Sequence, residues 1–185
     1  MKKIVIFASG SGSNFEMLVK KLHPDVCQVA LLVCDQPDAY CLKRAEALRI
    51  DTLKLELKSF DSKVAYEEEI LKHLEEIDPD LIVLAGYMKL IGKTLLDAYE
   101  GKIINIHPSL LPAFPGRDGI GDALRYGVKV MGVTIHYVDA GVDTGQIISQ
   151  ESFKREPDET FEESKAKIHA LEHELYPQVI RDLLI

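Results

Sequence analysis

The chain has 185 residues, 46% of them hydrophobic and 28% charged, the profile of one soluble globular domain over residues 1–185 with length enough to bury a real core. Its formal net charge of −8 argues against a general nucleic-acid surface, and none of its apolar runs reaches the length of a membrane span. An anionic small-molecule substrate stays compatible with that charge if local backbone amides and a few cations hold it.

The opening Met1-Lys2-Lys3-Ile4-Val5-Ile6-Phe7 has too short an apolar run for a signal peptide, and Ser9-Gly10-Ser11-Gly12-Ser13-Asn14 interrupts it. Residues 3–8 therefore read as the first strand of a cytoplasmic protein. Strand, small-residue loop and then an apolar-periodic helix from Phe15 to Leu22 is the arrangement that offers helix N-terminal amides to a phosphate. Gly10 and Gly12 let a ligand approach the backbone, and Ser13 and Asn14 are placed to cap the helix. A plain turn with an N-cap explains the same residues.

Residues 28–34 form a second strand, ending at Asp35. An acid about twenty residues after a glycine loop suggests dinucleotide binding, but Phe15 stands where the third glycine of that fingerprint belongs. Cys27, Cys34 and Cys41 are spaced by seven, which suits neither a disulfide framework nor a CxxC metal site, so they read as buried free thiols. The six histidines show no HExxH-type pattern, and no metal is expected.

Helices are predicted over 38–48 and 61–77, with a short strand over 52–57 between them. The second helix carries Val64, Ile70, Leu71 and Leu74 on its apolar face and charges on a solvated one. Residues 81–85 form a buried strand. Gly86-Tyr87-Met88-Lys89-Leu90-Ile91 follows, unusually apolar for a loop; it either packs internally or walls a pocket for a flat ring. A short helix over 93–99 leads to the stretch around which the reading turns.

Ile103, Ile104 and Ile106 make a buried strand, broken by Asn105 and His107, which at period two share a face. Pro108, Pro112 and Pro115 then stiffen the backbone. An amide and an imidazole at a strand tip, held by a rigid loop, are what electrostatic catalysis requires; the alternative is a satisfied structural histidine. Residues 118–126 read as a helix. Residues 131–138 read as a strand with Thr134 and His136 on one face, followed by an acidic loop through Asp143 and a return strand over 147–153. Thr160-Phe161-Glu162-Glu163 is a capping box opening a helix to about Tyr176, where Pro177 is predicted to kink or restart it.

Strands alternate with helices through two-thirds of the chain. The fold class is α/β: a mostly parallel central sheet flanked by helices, Rossmann-type in its N-terminal half and mixed at one edge. Asn105, His107 and Asp143 stand out as a donor amide, an imidazole and a carboxylate. No serine or cysteine nucleophile is paired to the histidine, which favours direct attack by a substrate amine on an acyl donor.

These pieces resemble the phosphoribosylglycinamide formyltransferase family, the folate-dependent transformylases of purine synthesis. The resemblance rests on Ser9 to Asn14, Leu84-Ala85-Gly86-Tyr87-Met88, Asn105-Ile106-His107-Pro108-Ser109-Leu110-Leu111-Pro112 with Phe114-Pro115-Gly116, Gly132 to Tyr137, and Asp143-Thr144-Gly145, in family order over nearly the whole chain. It implies Asn105, His107 and Asp143 as catalytic residues. Gly12, Ser13 and Asn14 match the phosphate loop, and Glu172 an acid associated with the ribonucleotide. Met88, Lys89, Leu90 and Ile91, with Asn105, match the folate side. Lys63 and Lys89 stand where members often carry arginine. The implied co-substrate is 10-formyltetrahydrofolate, with no metal. Many members have two histidines shortly after the Pro-Gly; here the segment is Arg117-Asp118-Gly119-Ile120, and Asp118 is the one residue offered as a replacement.

Two rival readings stand beside this one. A nucleotide-binding oxidoreductase accounts for the glycine loop and Asp35 but gives Asn105 and His107 no task. A non-catalytic folate-binding module accounts for the pocket but not for the intact trio. Among folate formyltransferases, those acting on methionyl-tRNA share the trio. The acidic charge, the small phosphate loop and a chain ending at Ile185 favour a small phosphorylated amine as acceptor.

Overall fold

The computed structural model describes residues 1–185. Seven strands, β1 (Lys3–Ala8), β2 (Gln28–Cys34), β3 (Thr52–Lys54), β4 (Leu81–Leu84), β5 (Ile103–His107), β6 (Val130–Tyr137) and β7 (Ile147–Lys154), form one sheet in the order β3-β2-β1-β4-β5-β6-β7. The first five run parallel. β6 pairs antiparallel with β5, and β7 antiparallel with β6. Six helices accompany them: α1 (Ser13–Leu22), α2 (Tyr40–Leu48), α3 (Lys63–Ile77), α4 (Lys93–Ala98), α5 (Gly119–Tyr126) and α6 (Phe161–Leu183). The α/β class, the parallel body and the antiparallel edge are those expected from the sequence.

β1 shows why the sheet is covered on both faces. Its residues alternate: Ile4, Ile6 and Ala8 pack into a core with α1, α2 and α6, while Val5 and Phe7 pack into a second core with α3 and α4. A strand buried on both sides reads as one continuous apolar run, as KIVIFA does. A third, smaller cluster of Ile120, Ala123, Met131, Val133 and Ile168 seats α5 against β6 and α6.

Several boundaries differ from the sequence reading. α2 starts at Tyr40 because the Ala39 amide turns back to the Gln36 carbonyl at 3.4 Å. β3 stops at Lys54 because its only partner, β2, ends opposite it at Cys34; a short 3-10 turn over Leu57–Ser59 follows. α3 begins after Ser62, whose hydroxyl accepts from the Ala65 amide at 3.1 Å, and its apolar face omits Val64, which is exposed. α1 is capped by Gly12 in the left-handed region with no side-chain bond, so Ser13 and Asn14 are its first helical residues and not its caps.

α6 does not stop and restart at Pro177 but runs on as one helix to Leu183. A proline inside a helix frees the carbonyl four residues back. Here that carbonyl, on His173, accepts the Lys21 ammonium of α1 at 2.8 Å. One residue before the proline, the fully buried Tyr176 donates its hydroxyl to the Leu84 carbonyl at 2.8 Å, at the end of β4. The capping box at Thr160 and Glu163 is present as expected. No helix is long and apolar enough to cross a membrane.

Candidate active site

The chain reverses direction across the sheet between β1 and β4: the connection from β1 goes outward to β2, and the later strands add on the other side. In open α/β sheets the crevice beyond the strand ends at such a point is where ligands bind. A cleft of about 480 Å³ lies there, lined by the loop after β1, the loop after β4, the tip of β5, the β6–β7 connection and α6.

The loop after β1 forms one end. Gly12 has φ of 75° and packs so closely on α2 that a Cβ would lie 2.5 Å from the Cβ of Cys41, so this position requires glycine. Cys41 and Arg44 of α2 brace the loop, the Cys41 amide donating to the Gly10 carbonyl at 3.0 Å and the Arg44 Nε to the Ser11 carbonyl at 2.8 Å. The first amides of α1 have no intrahelical acceptor and carry the positive end of the helix dipole. Across from them the Asn14 amide donates to Glu172 Oε2 at 3.0 Å, and His169 Nδ1 sits 2.9 Å from the same oxygen.

The loop after β4 forms a side wall. Met88, Lys89, Leu90 and Ile91 all line the cleft, with Met88 58% and Leu90 54% exposed. Ser9 joins this wall to the loop after β1: its hydroxyl donates to Asp35 and accepts from the Met88 amide at 2.9 Å. The Lys89 ammonium lies 3.1 Å from the other Asp35 oxygen, and the Asp35 side chain is fully buried. Asp35 is therefore an internal strut and is unavailable to a nucleotide ribose, which removes the basis of the oxidoreductase reading.

The trio closes the cleft. Asn105 and His107 lie opposite His136 and Thr134 in the β5–β6 register. His107 Nε2 donates to the Phe114 carbonyl at 2.7 Å, and its Nδ1 faces Asp143 Oδ2 at 3.4 Å. Carbonyl and carboxylate are both hydrogen-bond acceptors, so each ring nitrogen faces one. Asp143 has φ of 54°, a conformation costing about 1–2 kcal/mol in a residue with a Cβ. The Gly116 amide holds it there, donating to Oδ2 at 2.8 Å. Burial pushes the Asp143 carboxyl up, but hydrogen bonding toward His136, the Gly116 amide and the charges of the two histidines outweigh it, leaving the carboxyl below its ordinary range.

His136 is the residue that sequence reasoning left without a role. Its Nδ1 donates to the Tyr137 carbonyl at 2.8 Å, which turns Nε2 to a position 3.4 Å from the Asn105 amide nitrogen and 3.6 Å from Asp143 Oδ1. It thus stands between two members of the trio and fixes their spacing. The available signal was the period-two placement of His136 and Thr134 on one face of β6. Thr134, fully buried, does the corresponding work for the proline loop: its hydroxyl donates to the Ser109 carbonyl at 2.7 Å and accepts from the Leu111 amide at 3.1 Å and from Gln150 Nε2 at 2.9 Å.

Asn105, His107, Asp143, Gly12, Ser13, Asn14, Glu172 and the four wall residues are brought together in this one cleft. Two expectations are not met. Lys63 is exposed on the first turn of α3 and does not line the cleft. Asp118 is not a substitute for a catalytic histidine: it is the N-cap of α5, accepting from the Gly121 amide at 3.1 Å, and it pairs with Arg125 at 2.7 Å in solvent.

The formyl transferase family matches residues 2–180. The chain belongs to the formyl transferase family. It is 54% identical over 186 residues to the phosphoribosylglycinamide formyltransferase of Bacillus subtilis, covering all of this chain and 95% of that one. The phosphoribosylglycinamide formyltransferase of Haemophilus influenzae is 35% identical, with 98% of this chain and 86% of that one covered. Among solved structures, the phosphoribosylglycinamide formyltransferase of Streptococcus pneumoniae superposes with a TM-score of 0.95 at 49% identity over the full length of both chains. Membership of the family makes the chain an acyl-transferring enzyme by kinship, and the site above is the part of the fold where that chemistry has donors, an imidazole and a carboxylate in reach of one another.

Proposed function

We propose that the chain transfers the formyl group of 10-formyltetrahydrofolate to the amine of N1-(5-phosphoribosyl)glycinamide, a step of purine synthesis. The observation that carries this reading is the placement of a phosphate-type loop and an Asn–His–Asp set at opposite ends of one cleft, with an apolar wall between them. A phosphorylated amine seated with its phosphate on the first amides of α1, beside Ser13 and Asn14, extends along Glu172 toward Asn105. The folate ring lies against Met88, Leu90 and Ile91, with Lys89 in the same wall.

The amine lone pair attacks the formyl carbon. The carbonyl electrons move onto oxygen, and the oxyanion is stabilised by donation from the Asn105 amide and by the nearby charge of the His107 imidazolium, whose own N–H groups are turned to the Phe114 carbonyl and to Asp143. The carboxylate of Asp143 favours the charged ring and relays the proton lost by the amine, directly or through water, as collapse of the intermediate returns N10 of the folate with a proton. Lys63 has no part in this scheme. Three buried free thiols suit a reducing compartment, which supports a cytoplasmic setting.

The test is incubation with 10-formyltetrahydrofolate and glycinamide ribonucleotide, following the folate absorbance and the mass of the ribonucleotide. A gain of one formyl group on the ribonucleotide, stoichiometric with deformylated folate, is the result expected. A folded protein that consumes neither substrate overturns the proposal.

A further inference from the structure

α3 is a charged helix whose carboxylates face solvent, with one exception: Glu67 is only 3% exposed. A carboxylate buried in an apolar layer needs compensation, and burial pushes its pKa up. The compensation comes from another element. Glu67 Oε2 accepts from the Gly92 amide at 2.7 Å. Gly92 is the N-cap of α4 and has no side chain to cap with. Glu67 therefore does for α4, across the helix–helix contact, what the glutamate of a capping box ordinarily does locally, accepting from the N-cap amide. The fit is tight: a Cβ on Gly92 would lie 2.5 Å from Glu67 Oε1.

The preceding residue acts at the other end of the same segment. Tyr66 is 1% exposed, and its hydroxyl meets that of Tyr87 at 2.9 Å. The Tyr87 ring stands edge-on to Phe7 of β1, centroids 5.2 Å apart. Tyr87 and Gly92 flank Met88, Lys89, Leu90 and Ile91, the wall of the cleft. Two adjacent residues of α3 thus grip both ends of a loop that holds apolar side chains out into an open cleft. Such exposure is maintained only if the backbone is fixed from behind.

We infer that Tyr66 and Glu67 are positioning residues that preset the Met88–Ile91 wall for the flat ring of the folate co-substrate. The inference rests on the functional reading above. Neither residue touches substrate or the reacting atoms. Their contribution is preorganisation: the wall does not have to be ordered when the ring binds, so the saving appears in folate affinity and not in the chemical step.

The test is steady-state kinetics on the intact enzyme with each substrate varied, together with calorimetric titration of the folate. Glu67→Ala raises the folate KM and dissociation constant roughly tenfold, the equivalent of one lost hydrogen bond to a charged group. Its kcat at saturating folate and its ribonucleotide KM stay near the parent values. Glu67→Gln, which keeps a carbonyl acceptor for the Gly92 amide, recovers most of the loss. Tyr66→Phe, which keeps the packing and removes only the hydroxyl, raises the folate KM severalfold, so the inference stays testable if the alanine variant does not fold. A fall in melting temperature with no change in folate KM for Glu67→Gln and Tyr66→Phe, or an equal rise in both KM values, overturns the inference. A parent enzyme that does not bind folate removes the functional reading and this inference together; a parent that binds it no better than the variants removes the inference alone.

Discussion

Asn14 and Glu172 are 158 residues apart in sequence and joined by a 3.0 Å hydrogen bond, amide to carboxylate, at the α1 end of the cleft. The bond ties the first turn of α1 to the middle of α6 and leaves the Glu172 carboxylate shared between Asn14 and His169. Both partners line the cleft, so the same contact that joins α1 to α6 also shapes that end of the cleft.

Asn14→Ala and Glu172→Ala should each raise the ribonucleotide KM by about tenfold or more, the effect of losing one charge-assisted hydrogen bond at a buried site. The folate KM should move little. Initial-rate measurements with each substrate varied separate the two, and equal increases would place the ribonucleotide elsewhere.

His107→Ala and Asp143→Ala should each lower kcat on the order of a hundredfold or more while leaving the circular dichroism unchanged, since loss of one preorganised donor or its partner has that effect. His136→Ala should cost less, because Asn105 and Asp143 lose the neighbour between them but remain present. A His107→Ala enzyme with near-parent kcat would remove the imidazole from the reaction.

The arrangement also predicts a pH dependence. The Asp143 carboxyl lies below its ordinary range in the folded chain. A depressed carboxyl contributes stability that is present above the ordinary carboxylate value and lost as pH falls through the folded value. Asp143→Asn should therefore be less stable than the parent at neutral pH, and the gap should close as the solution is acidified. Denaturant titrations across the acid range check this; a gap independent of pH would show that the carboxylate charge is not what stabilises the loop.

How much of this was legible beforehand follows from the kind of interaction involved. The parallel body was readable because continuous apolar runs such as Leu81 to Leu84 have one physical solution, burial on both faces. Asn105 and His107 were readable because period two puts both on one face, and the Thr160 capping box because its partners are three residues apart. What periodicity cannot show is a partner distant in sequence. Asp35 looked like a ribose contact until Lys89 and Ser9 were seen to occupy it. Pro177 looked like a break because the Lys21 ammonium that satisfies the freed carbonyl comes from α1. Glu67 looked like one more solvated charge for the same reason.

Thr134 carries a stability prediction of its own. Its hydroxyl makes three hydrogen bonds, to Ser109, Leu111 and Gln150, with no solvent exposure. Thr134→Val preserves shape but strands those partners, which costs about 1–3 kcal/mol. The denaturation midpoint should fall with the slope unchanged, and kcat should fall with it because the proline loop supports the His107 acceptor. A variant as stable and active as the parent would mean that the loop is held by its prolines alone.

The central claim is the identity of the formyl acceptor, and a single competition measures it. The enzyme is given 10-formyltetrahydrofolate with glycinamide ribonucleotide and methionyl-tRNA together, and the formylated products are counted by mass. On the proposed reading the cleft takes one small phosphate at the N-terminus of α1, and the chain's net charge of −8 opposes a polyphosphate backbone, so formylglycinamide ribonucleotide should be the product. Formylation of methionyl-tRNA with none of the ribonucleotide would contradict the account.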